Sequence, residues 1–374
     1  MSKPPVSSSC LHGTRVIDLT QVIAGPYCAM QLAQLGAAVI KIESPQGDPM
    51  RWRGGSDAQA AARGLSTHYQ AHARGRQVVV LDWSSEEGIA QLKALLQGAD
   101  VFVCNIRQHM LPRMGLSIEQ MRQAYPSLVI CTISGYGQGP CEDWPAYDNT
   151  IQAASGLMRL NGAGEGGSRV GAPIMDYACG MAALSAILAA LYERENSHQG
   201  QHVRVSMLSV AHQLMTAQRF DRAATGKEPA FKGNQANSGE PLSQIFETAQ
   251  GHLALAVNEP HQFEKLARAL GSSAWLSDAR FASVKSRRSH AQELRDLVAK
   301  RLMTQTALKW EAALCKAGVA AAAVRTLAQS LAHAGAQADP DLFDLERGRI
   351  LPGQLSAAIS ATSIISNLYQ ETAS

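Results

Sequence analysis

RVIDLTQVIAGPYCAMQLAQLGAAVIKIE, residues 15–43, runs from one short apolar stretch to another through a turn and a helical segment. Arg15–Leu19 (RVIDL) reads as a buried strand, Ala24-Gly25-Pro26 as a turn, Cys28–Leu35 as a helix and Ala37–Glu43 as the next strand. Strand, helix and strand within about 30 residues is the span of a βαβ unit, whose two strands lie parallel. Outward from it the pattern repeats. Val78–Asp82 (VVVLD) is a third strand, and Glu86–Leu96 is amphipathic at helical spacing. Val101–Asn105 (VFVCN) is a strand, Ser117–Ala124 a helix and Leu128–Ser134 (LVICTIS) a strand. Short apolar strands alternating with helices predict an α/β fold with a doubly wound, Rossmann-like parallel sheet. Ligands of such sheets sit outside the carboxyl ends of the strands.

Further on come a long apolar helix over Gly180–Arg194, a strand at Gln201–Leu208 and a helix to about Ala224. Lys227–Leu242 is rich in Gly, Pro and Asn and marks a change of composition. It divides a large domain (residues 1–226) from a smaller α/β domain (227–330), with 331–374 returning to the first. The smaller domain opens with a hairpin, Ser243–Thr248 and His252–Val257. Helices follow at Pro260–Leu270, Ser289–Met303 and Ala307–Ala317, and Val319–Val324 fits a strand or a short helix. There is no internal repeat.

With 374 residues, 46% hydrophobic and 17% charged, the chain has the make-up of a packed globular enzyme, not of a disordered or fibrous one. A formal net charge of +3 gives no reason to expect nucleic acid or membrane as partner. The start, MSKPPVSSSC, has no apolar core of a leader, and no stretch reads as a clean membrane span. Seven cysteines without a CxxC pair predict reduced thiols and a cytoplasmic protein, with neither zinc site nor disulfide framework. No metal ligand set is expected.

The stretch with the most chemistry is VGAPIMDYACGMAALSAILAALYERENSHQGQHVRVSML, residues 170–208. Gly180–Leu191 carries no charge, and Asp176 stands at the head of this apolar helix behind Pro173, a residue suited to a first turn. Burying a carboxylate costs several kcal/mol, of order, unless something pairs with it or uses it. Helix-terminal amides and the macrodipole favour its ionised form. Position alone leaves two readings, a first-turn capping acid and a carboxylate held ready in a crevice.

The blocks around it decide. GTRVIDLTQVIAGPYCAMQLAQLGAAVIKIESPQGDPMR (13–51), AHARGRQVVVLD (71–82), VFVCNIRQHMLPRMGL (101–116), SLVICTISGYGQGP (127–140), AYDNTIQAASGLM (146–158) and the Asp176 stretch appear in one order. Together they resemble the class III (CaiB/BaiF-type) CoA-transferases, which include formyl-CoA transferase and the carnitine CoA-transferases. The likeness is strong over roughly the first 220 residues and looser over IFETAQGHLALAVNEPHQFEKLARALG (245–271).

The resemblance implies two α/β domains in an interlocked-ring homodimer. It implies an acyl-CoA:carboxylate CoA-transferase with no tightly bound cofactor, whose partners are coenzyme A as acyl-CoA substrate and a small carboxylic acid. Asp176 takes the place of the nucleophile. The family's nucleotide contacts fall on Val22, Ile23, Ala24, Arg74, Arg76, Asn105, Ile106 and Arg113, with Arg51 and Arg107 as further basic residues. CoA phosphates call for such arginines and for backbone amides. Tyr147 and Asp148 align with a Tyr–acid pair lining the substrate pocket.

Ile23 replaces a glutamine that holds the small polar acid in formyl-CoA transferase, and Ser44 replaces an arginine. A run of glycines that forms a lid there is also missing. Two rivals stay open beside transfer. One is an acyl-CoA racemase moving an α-proton; related racemases carry a His where Tyr147 stands, and a phenol is a poor base at pH 7. The other is a CoA-transferase-like subunit without activity of its own.

Overall fold

The computed structural model describes residues 10–107, 109–162 and 166–333. They form two compact units: 10–159 with 168–229, and 160–162 with 166–167 and 230–333. The expected return of 331–374 lies, from residue 334 on, outside the described residues.

The first unit holds β1 (Arg15–Leu19), α1 (Ala24–Gln34), β2 (Ala38–Glu43), α2 (Ala58–Ala62), α3 (Thr67–His72), β3 (Arg76–Val80) and α4 (Glu86–Leu96). It continues with β4 (Val101–Cys104), α5 (Met110–Arg113), α6 (Ile118–Ala124), β5 (Val129–Ser134), α7 (Asp148–Ala154) and α8 (Leu157–Leu160). Then come α9 (Ile174–Ser197), β6 (His202–Ser206), α10 (Met207–Leu214) and α11 (Thr216–Thr225). The six strands pair in parallel in the order β3-β2-β1-β4-β5-β6.

Both faces of this sheet are covered, as an all-parallel sheet requires. Val16, Val39, Val103 and Cys131 pack with Cys28 and Leu32 of α1 and Cys179, Ala183 and Ile187 of α9. The alternate positions Ile17, Ile40, Phe102 and Ile130 pack with Leu92, Leu95 and Leu96 of α4 and Met121 of α6. Burial on both sides is why these strands read as continuous apolar runs and not as alternating ones. The order reverses between β1 and β4, and a crevice opens outside their carboxyl ends.

The second unit has an antiparallel sheet of β7 (Ile245–Glu247), β8 (His252–Ala256) and β9 (Ala320–Ala323). Its helices are α12 (Pro260–Ala269), α13 (Val284–Ser289), α14 (Ala291–Leu302), α15 (Ala307–Lys316) and α16 (Leu327–Leu331). Phe246, Leu253, Leu266, Leu294 and Trp310 share its core.

Several boundaries differ from expectation for local reasons. Ala24-Gly25-Pro26 is the first turn of α1, not a separate turn. β3 begins at Arg76, two residues early, because Arg76 is held inside the unit. The strand at 201–208 stops at Ser206, whose hydroxyl caps α10 by accepting from the Ser209 amide. The helix that follows breaks at Met215. Val319–Val324 resolves to a strand that completes the small sheet. The 24-residue α9 is long and apolar enough to cross a membrane by length and composition alone, where no stretch of the sequence reads as a clean span. Here its inner side belongs to the core against α1.

Candidate active site

A cavity of about 410 Å³ opens at the switch point. Its walls are Gln21–Ala24 after β1, Asn105–Arg107 after β4, Ile133–Gly135 at the end of β5, the loop 142–147, Asp176 and Met207. The carboxyl ends of three neighbouring strands thus supply most of it, and α9 brings the acid from the side.

The wall at residues 20–22 is fastened group by group. The Asp18 carboxylate accepts from the Thr20 amide (2.9 Å) and hydroxyl (2.5 Å). The Asn105 side chain accepts from the Gln21 amide and donates to its carbonyl, each at 2.8 Å. The Val22 amide donates to both oxygens of Asp48 at 3.3 Å. Val22 has φ 71°, a conformation rare for a β-branched residue and costing on the order of 1–3 kcal/mol. Strain of this kind collects where a site needs a fixed backbone.

Asp176 lies in the first turn of α9, with Pro173 as N-cap. Its pKa is pushed up to about 7, first by burial and then by the charge of Asp148. The helix-terminal amides, expected to favour the anion, do not outweigh these two effects. Asp148 is buried, not part of the pocket lining. One oxygen accepts from the Met175 amide at 2.9 Å and the other from Gln152 Nε2 at 2.8 Å. It fixes the start of α9 from α7, while Tyr147, 60% exposed, lines the cavity.

The sequence-derived residues therefore divide. The cavity brings together Val22, Ile23, Ala24, Asn105, Ile106, Tyr147 and Asp176. Asn105 lines it, but its amide is engaged by Gln21. Arg76, expected among the nucleotide contacts, does not line the cavity: its guanidinium is buried, donating to Asp18 at 2.6 Å and to the His72 carbonyl. Arg74 is half-buried and Arg113 exposed, and neither lines the cavity. Arg51 is engaged by Glu43 at 2.6 Å and lies over the Tyr69 ring. Arg107 is the one cation of the lining among the described residues.

Sequence reasoning missed the loop 142–147 apart from Tyr147, and with it Glu142, Asp143 and Trp144. The rule that ligands meet strand carboxyl ends pointed to that loop, because it follows β5. Among the described residues no histidine lines the cavity and no cluster suits a metal ion. His72 is buried against Tyr177, and burial lowers its pKa to about 4, which keeps it neutral. All seven cysteines are free thiols.

An open parallel sheet with a buried-side carboxylate in its switch-point crevice is the build of an α/β enzyme. The chain belongs to CoA-transferase family III, whose model matches residues 11–364, and it is a CoA-transferase of that family. Succinate–glutarate CoA-transferase of Agrobacterium fabrum is 34% identical over 363 residues, covering 94% of this chain and 88% of the relative. Acetyl-CoA:oxalate CoA-transferase of Acetobacter aceti is 32% identical, covering 82% and 78%. A crystal structure of a CAIB/BAIF family protein from Brucella suis superposes with a TM-score of 0.78 at 30% identity, covering 88% of both chains.

Proposed function

We propose that the protein transfers CoA from an acyl-CoA to a carboxylic acid through a thioester on Asp176. The observation that carries this reading is the position of Asp176 in one cavity with Val22–Ala24, Asn105 and Tyr147. The Asp176 carboxylate attacks the donor thioester carbonyl, forming a mixed anhydride and releasing CoA thiolate. The thiolate attacks the aspartyl carbonyl of the anhydride, giving aspartyl-CoA and freeing the donor acid. The acceptor carboxylate attacks aspartyl-CoA, expelling the thiolate and forming a second anhydride. Attack of the thiolate on the acceptor acyl carbonyl yields the new acyl-CoA and returns Asp176 as carboxylate. Each tetrahedral oxyanion needs hydrogen-bond donors, and backbone amides near the cavity are suited to that task.

Burial serves this chemistry. A carboxylate poised near neutrality is less hydrated than one in water and a better nucleophile toward a thioester. A lining without histidine, among the described residues, argues against the racemase, which needs a base at the α-carbon. Arg107 gives the cavity a cation for an anionic substrate. We read the active species as a homodimer. The Agrobacterium relative makes succinyl-CoA with glutarate the first donor and acceptor to try.

The test is mass spectrometry of protein mixed with succinyl-CoA alone. CoA should be found attached at Asp176, and hydroxylamine should release it. Asp176→Ala should abolish transfer, and turnover by that variant at the wild-type rate would refute the mechanism. Exchange of α-deuterium into the acyl-CoA without an acceptor acid would favour the racemase instead.

A further inference from the structure

Beneath the cavity wall lies a group of buried charges that the transfer chemistry does not use. Lys41 is 1% exposed, yet it stands 3.7 Å from Asp48 and 3.9 Å from Asp18, and it donates to the Thr20 carbonyl. Asp48 is 3% exposed. Besides the Val22 amide, it accepts from the Met50 amide at 2.9 Å, and its own amide donates to Glu43 at 3.2 Å. Cations and anions balance here: Lys41, Arg51 and Arg76 stand against Asp18, Glu43 and Asp48. Buried ion groups are poor stabilisers compared with apolar packing of the same volume, but they fix geometry where one arrangement is wanted. This group ends on one strained residue.

We infer that Asp48, held by Lys41, is a positioning residue that keeps Val22 in its left-handed conformation and so sets the wall Val22–Ala24 against the substrate. The carboxylate draws the Val22 amide toward the β2 side of the loop, and Lys41 restrains both Asp48 and the Thr20 carbonyl. Without Asp48, Val22 relaxes to negative φ, and the residues after it turn away from the cavity. The inference rests on the reading of this cavity as the transfer site. The CoA adduct on Asp176 tests that reading separately.

The experiment uses Val22→Gly as rescue, because glycine takes φ 71° without a carboxylate to hold it. Asp48→Ala should raise the KM for succinyl-CoA about tenfold or more with kcat much less affected, the mark of lost uniform binding. Asp48→Ala combined with Val22→Gly should recover most of that loss. If Asp48→Ala alone does not fold, the double variant decides. A folded double variant with a KM near that of Val22→Gly supports the inference. A double variant that stays unfolded, or keeps the raised KM, assigns Asp48 to the core at large and overturns it. So does an Asp48→Ala enzyme with unchanged KM.

Discussion

In the proposed mechanism Asp176 has to be an anion to attack the thioester, yet burial and the neighbouring Asp148 both favour its neutral form and lift its pKa to about 7. The reactive fraction of free enzyme therefore falls about tenfold for each pH unit below 7 and is nearly complete above pH 8. The kcat/KM for acyl-CoA should follow that curve. Asp148→Asn removes the like charge but keeps an oxygen able to accept from the Met175 amide. It should shift the rise of kcat/KM to lower pH, as a pH–rate profile will show; an unmoved profile would mean that Asp148 only caps the helix. The place of Asp176 in the crevice was legible because one acid stands ahead of the uncharged stretch Gly180–Leu191 within ordered family blocks. The directions of Arg76 and Asp148 were not legible, because a sequence gives a charged residue without its direction. Both face inward, Arg76 to Asp18 and Asp148 to Met175. Asp48 left even less trace, only an Asp-Pro step opening a short 3-10 turn.

Among the elements, α1 and α9 each bring one residue to the cavity, Ala24 and Asp176, and their crossing depends on Gly180. A Cβ there would stand 2.7 Å from the Ala24 carbonyl oxygen and 2.9 Å from the Tyr27 ring. The first is backbone and cannot swing aside. Gly180→Ala gains about 1 kcal/mol of helix propensity but forces the helices apart, at a typical cost of 1–3 kcal/mol. The net effect should be a lower denaturant midpoint, together with a raised acyl-CoA KM, because Ala24 belongs to the cavity wall. A stabilised Gly180→Ala protein with unchanged KM would show that the helices do not touch there. The strands β1, β2, β4 and β5 could be read in advance, since burial on both faces leaves apolar runs bounded by turns. Short helices such as α2, α3, α5 and α7 could not. One or two turns do not stand by themselves, and contacts distant in sequence hold them. At α3, for example, the Tyr69 hydroxyl donates to Glu43 at 2.7 Å.

For the whole molecule, α11 poses the question of what covers it. None of its residues is buried, and a helix of ten residues with no packed face is marginal in water. Phe220 on it is 74% exposed, and Tyr192 on α9 is 76% exposed. Met181 and Leu214 are open as well. All four belong to helices of the first unit, and open apolar side chains that join into one patch mark association. In the proposed homodimer a second copy would cover these side chains, and the ring threading that the resemblance implies would make that copy hard to remove. Sedimentation should therefore report twice the 39.9 kDa chain mass, with no dissociation on dilution to nanomolar concentration. Two rings threaded through each other cannot part without opening one of them, so loss of the dimer should coincide with unfolding in urea. Tyr192→Asp with Phe220→Asp places charge on the side chains that the proposed homodimer would cover and should lower that single transition. A folded, active monomer at any concentration would rule out threading. It would leave α11 to be stabilised by some other partner.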